Sequence, residues 1–446
     1  MPDSSGTSRS LPPLSRRSAL KGIAGLAAVG AAPASLVAAC SSSSGSKGTT
    51  KNTGSATASI TFGSNYSDPA TKASFAALCQ SATASSKVPI TVNTVDHDTF
   101  QNDITNYLQG TPDSLATWFA GYRLQYFAAQ GLLAPIDDVW DKIGGTFNDA
   151  AKSLSKGLDG HYYMVPLYNY PWVVFYNKSV FSSKGYTVPT TWDDFMALCK
   201  KMKTDGLIPM AFADKDLWPA PGTFDILNMR INGYDYHIQL MKHQVPWTDK
   251  GVTAVFNQWR ELMPYMQNGA NGRIWQDAAK SLENKQAGMM FQGSNQVAAN
   301  YAASNLADLD FFPFPTINPT YAQDYMDAPT DGFMLPKKGK NTAAAKAVLE
   351  YIGSGGAETD FLKTDHWDVG LANGLVAPTY NDIQKKSVQA IAACKNVAQF
   401  MDRDTVPDMA TAVEKLIQGF IDNPTAATIA SLQNSAEKQA KTIFTS

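Results

Sequence analysis

From Ile60 onward, short apolar runs alternate with longer stretches in which apolar residues recur every three or four positions. Residues 60–63, 88–95 and 114–119 read as strands, and 69–83, 99–108 and 122–130 carry helical periodicity. Alternation of this kind predicts βαβ units and a parallel sheet. Further along, 173–176, 208–212, 287–291 and 309–312 are compact apolar runs that predict more strands. Residues 193–203 predict a helix with Thr191 as its N-cap. Helical patterns recur over 252–266, 343–352 and 410–420. The chain shows no internal repeat, and nothing after the leader reads as a membrane span.

The first 59 residues lack this alternation. Arg16 and Arg17 precede an Ala/Gly-rich stretch, 22–39, that is broken by Pro33 and ends in small residues. That is the pattern of a twin-arginine export signal. Leu36-Val37-Ala38-Ala39-Cys40 resembles the lipobox of bacterial lipoproteins. The resemblance implies cleavage before Cys40, a lipid on its thiol, and a place on the extracytoplasmic face of the membrane. Residues 40–59 then form a Ser/Thr/Gly/Lys-rich flexible tether.

Composition narrows the ligand. The leader holds Arg9, Arg16, Arg17 and Lys21 but only Asp3 among acids, so the rest of the chain is more acidic than the whole-chain net charge of −2. A mildly acidic chain argues against nucleic acid and against polybasic membrane binding. Charged residues make up 17%, while there are 9 Trp, 18 Tyr and 21 Phe, which suits a neutral ligand with apolar faces. Cys79, Cys199 and Cys394 are an odd set that allows at most one disulfide. Cys79 and Cys199 lie in apolar helical patterns and read as buried thiols. No cysteine pair has metal-ligand spacing, and no cofactor is expected.

Several segments in a fixed order carry a family resemblance. They are W-F-A-G-Y-R (118–123), F-Y-N-K-S-V-F (175–181) followed by V-P-T-T-W-D-D-F, and W-P-A-P-G-T-F-D (218–225). K-Q-A-G-M-M-F-Q-G-S-N (285–295), D-A-P-T-D-G-F (327–333) and M-D-R-D-T-V-P-D (401–408) complete the series. From about Ile60 on, the chain resembles the family 1 extracellular solute-binding proteins, the carbohydrate-binding lipoproteins of bacterial ABC importers. The resemblance implies an α/β, two-lobed periplasmic-binding-protein-like (class II) fold with a hinge and an inter-lobe cleft. It divides the chain into an N-terminal lobe, 60–169 with 314–372, and a C-terminal lobe, 170–313 with 373–446. Crossings are expected at Tyr170-Pro171, at 312–316 and between 367 and 378. It implies capture of a mono- or oligosaccharide by a monomer, delivery to a permease, and no catalysis.

Sugar rings carry C–H patches on their faces and hydroxyls on their rims, so a sugar site needs aromatic plates and in-plane polar groups. In open α/β sheets ligands bind beyond the carboxyl ends of strands. The candidates after the first two strands are Asn65, Tyr66 and Asp68, then Asp96, His97 and Asp98. Trp118, Phe119, Tyr122 and Arg123 follow the third. Trp218, behind Asp214 and Asp216, and the trio Gln292, Ser294 and Asn295 follow later strands. By resemblance, Trp118, Trp218 and Asn295 approach the sugar. Many relatives carry Trp where Asn295 stands, and Trp275 or Trp367 is the expected substitute plate. Asp331, Asp402 and Arg403 are expected to hydrogen-bond hydroxyls.

Other residues have plainer readings. Trp192 and Trp259 are expected in the core, and Arg230 is expected to anchor a helix. Between two aspartates His97 has the look of a metal ligand, but it reads as a solvated loop histidine, because the other four histidines show no ligand spacing. Asp137-Asp138 and Asp193-Asp194 suit helix N-termini. A secreted carbohydrate-active enzyme is the competing reading, but none of the six glutamates lies in an aromatic post-strand loop. No G-x-S-x-G or H-E-x-x-H motif is present. A sugar sensor that works without an importer stays open at this point.

Overall fold

The computed structural model describes residues 55–372 and 380–444. The stretch read as a twin-arginine leader, Cys40 and the expected tether up to residue 54 lie outside the described residues, as does part of the expected third crossing. Twelve strands are numbered here in chain order. They are β1 (Ile60–Ser64), β2 (Ile90–Thr94), β3 (Leu115–Phe119), β4 (Met164–Asn169), β5 (Trp172–Asn177) and β6 (Ile208–Ala211). The others are β7 (Ala287–Gly293), β8 (Leu309–Phe312), β9 (Tyr325–Asp327), β10 (Thr330–Met334), β11 (Val369–Gly370) and β12 (Asn396–Ala398).

Two larger sheets organise the described residues. The first has the order β11-β4-β10-β3-β1-β2, and the second the order β6-β7-β5-β8. A two-stranded parallel pair joins β9 to β12. The chain passes from the first sheet to the second at Tyr170-Pro171, between β4 and β5. It returns between β8 and β10. The fold is therefore α/β with two sheet-centred lobes, the first assembled from separate stretches of sequence.

The sheets are mixed rather than parallel. β1 runs parallel to β2 and β3, and β6 to β7, as strand–helix alternation predicts. β10 enters the middle of the first sheet antiparallel to both β3 and β4. β5 is antiparallel to β7 and β8. The strands joined by long excursions into the other lobe carry no βαβ handedness constraint, so antiparallel pairing is open to them.

Helices cover both faces of the first sheet, so its central strands β10 and β3 are buried along their whole length. On one face Phe62, Val165 and Phe333 pack with Phe75 and Leu78 of the helix Pro69–Ser86. On the other face Ala116, Trp118, Met164 and Met334 pack with Phe100 and Ile104 of His97–Gln109 and Phe127 of Tyr122–Ala129. Thr191 does cap the helix Trp192–Thr204, its side chain accepting from the Asp194 amide. Trp192 and Trp259 are buried. Arg230 is fully buried and donates to the Phe314 and Tyr325 carbonyls. Cys79, Cys199 and Cys394 are free thiols; burial pushes Cys79 and Cys199 up to about 12 and Cys394 up to about 11.

Candidate functional site

A cavity of about 250 Å³ opens between the two sheets, lined from both. The loop after β1 contributes Asn65, Tyr66 and Asp68, and the start of the next helix His97, Asp98 and Gln101. The β4–β5 crossing contributes Tyr168, Tyr170 and Trp172. Asp216, Trp218, Trp275, Gln276, Asn295 and Gln296 come from the second lobe. Asp331 sits in β10, and Phe400, Asp402 and Arg403 in the segment after β12.

Three indoles wall this space. Trp172 and Trp218 meet edge to face with ring centroids 6.3 Å apart, and Trp218 and Trp275 do so at 6.1 Å. Phe400 stacks obliquely on Trp172 at 4.6 Å. Trp218 is held early in the helix-forming segment by Pro219 and Pro221, which start Pro219–Asn232 and turn its N-terminus toward the cavity.

Behind the aromatic wall runs a chain of four alternating charges. Arg123 donates to Asp402 at 2.9 Å, and Arg403 donates to Asp331 at 2.6 Å. Arg403 also donates to the Tyr170 hydroxyl at 3.1 Å, and its guanidinium lies 3.9 Å from the Phe119 ring centre. The Tyr168 hydroxyl donates to the second Asp331 oxygen at 3.0 Å. All four charged groups are buried. Burying such charges is costly unless each is paired, and here each is. Burial opposes the Arg403 charge, yet Asp331, Tyr170 and Asp402 outweigh it and hold its pKa above the ordinary value. Burial raises the Asp331 pKa, with Arg403 pulling the other way.

His97 belongs to a second polar string. Its Nδ1 lies 3.2 Å from the Asn65 amide and its Nε2 2.9 Å from the Gln101 amide. Burial, and then Arg403, depress its pKa to about 4, so it is a neutral imidazole near pH 7. Both ring nitrogens face amides, and no group of metal-ligating side chains occurs among the described residues. Asp98 is pushed up to about 7 by burial and by Asp216, Asp96 and Asp68. Asp98 and Asp216 thus bring two carboxyl groups to one cavity from opposite lobes.

Of the residues singled out from sequence, Asn65, Tyr66, His97, Trp218, Trp275, Asn295, Asp331 and Arg403 line the cavity. The others do not. Trp118 is fully buried, its ring packed on Phe100, Phe119 and Phe127. Its strand register aligns it with Ala116 and Met334 on the helix-covered face. Phe119 sits beneath the Arg403 guanidinium rather than facing the cavity. Tyr122 is half-buried against the core. Gln292 is buried in β7, and Ser294 donates to the Trp367 carbonyl at 3.2 Å. Trp367 itself packs into the second lobe's apolar cluster.

Sequence reasoning missed Tyr168, Tyr170 and Trp172, which lie in Y-N-Y-P-W. The available signal was the crossing itself: residues passing between lobes face the cleft by construction. Phe400, Gln101, Gln276 and Gln296 had no comparable signal.

The model of the bacterial extracellular solute-binding protein family matches residues 66–359. The solved structure of the bacterial solute receptor AcbH is 79% identical over 87% of this chain and 100% of that chain, with a TM-score of 0.86. Its description gives it an exclusive substrate preference for β-D-galactopyranose. A chitin oligosaccharide binding protein shares the fold at 20% identity and a TM-score of 0.76, over 86% of this chain and 99% of that one. A probable sugar-binding periplasmic protein of Rhizobium meliloti is 27% identical over 207 residues, 44% of this chain and 48% of that protein. An uncharacterized ABC transporter extracellular-binding protein of Pyrococcus horikoshii is 25% identical over 64% of each chain. The match thus spans under two thirds of the length of these last two relatives. With the family model covering most of the two-lobed region and the cleft in the same chain, this protein belongs to the bacterial extracellular solute-binding proteins.

Proposed function

We propose that this chain is the ligand-capturing receptor of an ABC-type sugar importer, and that its ligand is a single pyranose of the galactose type. The observation that carries the reading is the small cavity walled by Trp172, Trp218 and Trp275 and backed by the balanced Arg123–Asp402–Arg403–Asp331 chain. At about 250 Å³ the space falls below the roughly 300–1,000 Å³ usual for drug-sized ligands, which favours one sugar ring over a chain. The indoles suit the C–H faces of a pyranose, and the charged groups suit its hydroxyls. The neighbour with a galactopyranose preference supports the choice of epimer.

Capture breaks and makes no covalent bond. The lobes, taken as 60–169 with 314–372 and 170–313 with 373–446, sample closure about the crossings. A ligand that touches both lobes favours the closed form by its differential contacts. Moving a population from mostly open to mostly closed takes about 5.5 kcal/mol of preference. The closed form is what the permease recognises. Export by the twin-arginine route and acylation of Cys40 hold the monomer at the membrane, and the tether keeps it near the permease at high effective concentration.

Titration calorimetry with galactose, glucose, mannose and a galactose disaccharide tests the ligand. Galactose is expected to bind with the highest affinity and the disaccharide weakly; equal affinity for the disaccharide sinks the single-ring reading. For the anchor, Cys40→Ser is expected to move the protein from the membrane fraction to the soluble one, and unchanged membrane retention refutes acylation.

A further inference from the structure

The ion pair Arg123–Asp402 joins one lobe to the other. Arg123 is fixed to the first lobe: it opens the helix Tyr122–Ala129 directly after β3. Its guanidinium lies 5.3 Å from the Trp118 ring centre and donates to Gln101 at 3.3 Å. Asp402 is fixed to the second lobe by its neighbours. The Met401 amide donates to Asp225 of Pro219–Asn232 at 2.7 Å, and the Thr405 hydroxyl to the Met241 carbonyl of Tyr234–Met241 at 2.6 Å. Between these two anchored groups the bond is 2.9 Å, with side chains only 9% and 6% exposed.

Arg123 differs from the rest of the buried charge chain in one respect. Asp331, Asp402 and Arg403 line the cavity, and Arg123 does not. The lobes meet beside it with no space for a ligand. Gly121, with φ of 87°, sits so close that a Cβ there would stand 2.9 Å from the Arg403 carbonyl oxygen and 3.2 Å from Gln399 Cβ. Parting the lobes at this point gives both charges to water, where each is solvated alone. Bringing them together buries both, which is tolerable only while they are paired. Loss of the Arg123 charge therefore penalises the closed form and leaves the open form nearly untouched.

We infer that Arg123 is a positioning residue that sets, through Asp402, how readily the lobes close, and so tunes the affinity for sugar without touching it. The inference rests on the sugar-capture reading. A receptor's apparent affinity is its intrinsic affinity scaled by the fraction of chains in the binding-competent form. A weakened latch thus lowers affinity for every ligand of the cleft by the same factor, whereas a lost sugar contact lowers it unevenly.

The test is calorimetry with galactose and its single-deoxy analogues on the wild type, Arg123→Gln and Arg123→Lys. Arg123→Gln is expected to weaken galactose binding roughly ten- to hundredfold, in the usual range of conformational coupling. Every analogue that binds is expected to weaken by that same factor, to within about threefold. Its ligand-free melting temperature should stay close to that of the wild type. Its radius in X-ray scattering at saturating galactose should equal the wild-type one, since enough sugar still closes the lobes. Arg123→Lys is expected to recover most of the loss, because the bond to Asp402 is single rather than bidentate. In the wild type, phenylglyoxal is expected to modify Arg123 when no sugar is present and to be blocked by galactose, as read by mass spectrometry. Arg123 shielded equally with and without galactose overturns the inference, even if no variant folds. Undiminished affinity in a folded Arg123→Gln protein overturns it, and so does a changed order of the analogues. Absence of binding by galactose and every other sugar tried would strike the sugar-capture reading, and this inference with it.

Discussion

Replacing Gly222 by Ala sets two well-measured effects against each other. Gly222 lies within the helix Pro219–Asn232 with no positive φ, so propensity alone makes Ala better by about 0.8–1.0 kcal/mol. The tertiary surroundings oppose this. A Cβ at that position would stand 2.3 Å from Trp172 Cζ3, 2.7 Å from Trp172 Cε3 and 2.9 Å from Phe400 Cε2. Ordinary carbon contacts sit at about 3.5–4.0 Å, so rings must shift by around an ångström. Trp172 is 2% exposed and wedged between Phe400, Phe291 and Trp218, which leaves it little room. Overpacking of this kind costs about 1–3 kcal/mol. The net expectation is a destabilisation of up to about 2 kcal/mol, visible as a melting temperature lower by a few degrees. Trp172 and Phe400 both line the cavity, so relief by moving either ring reshapes the proposed sugar site. Affinity should fall at least tenfold in calorimetry. A variant that melts higher than wild type and binds sugar unchanged would refute the reasoning, because it would show that this wall yields freely.

Trp118→Ala should lower stability by about 3–5 kcal/mol in denaturant unfolding, since it empties a fully buried indole site; a loss under 1 kcal/mol contradicts that placement. Trp218→Ala should do the reverse, weakening sugar binding roughly tenfold or more while changing the melting temperature little; undiminished affinity removes Trp218 from the site. Asp98 holds its proton to about pH 7 in the folded protein, against about 3.9 in an unfolded chain, so its contribution to stability falls as pH rises from about 4 to 7. Asp98→Asn should therefore gain on the wild type in melting temperature across that window and hold a constant difference above it. A difference that stays flat from pH 4 to 7 rules this out.

Much of the fold was legible in the chain. Apolar runs at β1, β3, β5 and β8 and the helical periodicity between them are local patterns, and they appear in the structure with ends shifted by a few residues. The acidic pairs Asp137-Asp138 and Asp193-Asp194 lie in first helical turns, where the helix dipole favours them. β4 and β10 were overlooked. β4, Met164–Asn169, contains a proline, and β10, Thr330–Met334, opens with Thr-Asp-Gly, so neither reads as a strand by composition. Both are supported by the partners they meet in the sheet, not by their own propensity.

Sequence by itself determined the local elements, the family segments and the kinds of residue available to a sugar site, because those depend on near neighbours and composition. Tertiary structure alone decided which of them face the ligand. Trp118 and Trp172 are both tryptophans at strand positions, yet strand register turns one into a helix-covered core and the lobe crossing sets the other in the cavity wall. The charges behind that wall come from position 123, position 331 and the adjacent pair 402–403, three stretches remote in the chain and joined only when both lobes pack. Their pairing in a buried setting is a property of distances in space, and no spacing along the chain encodes it.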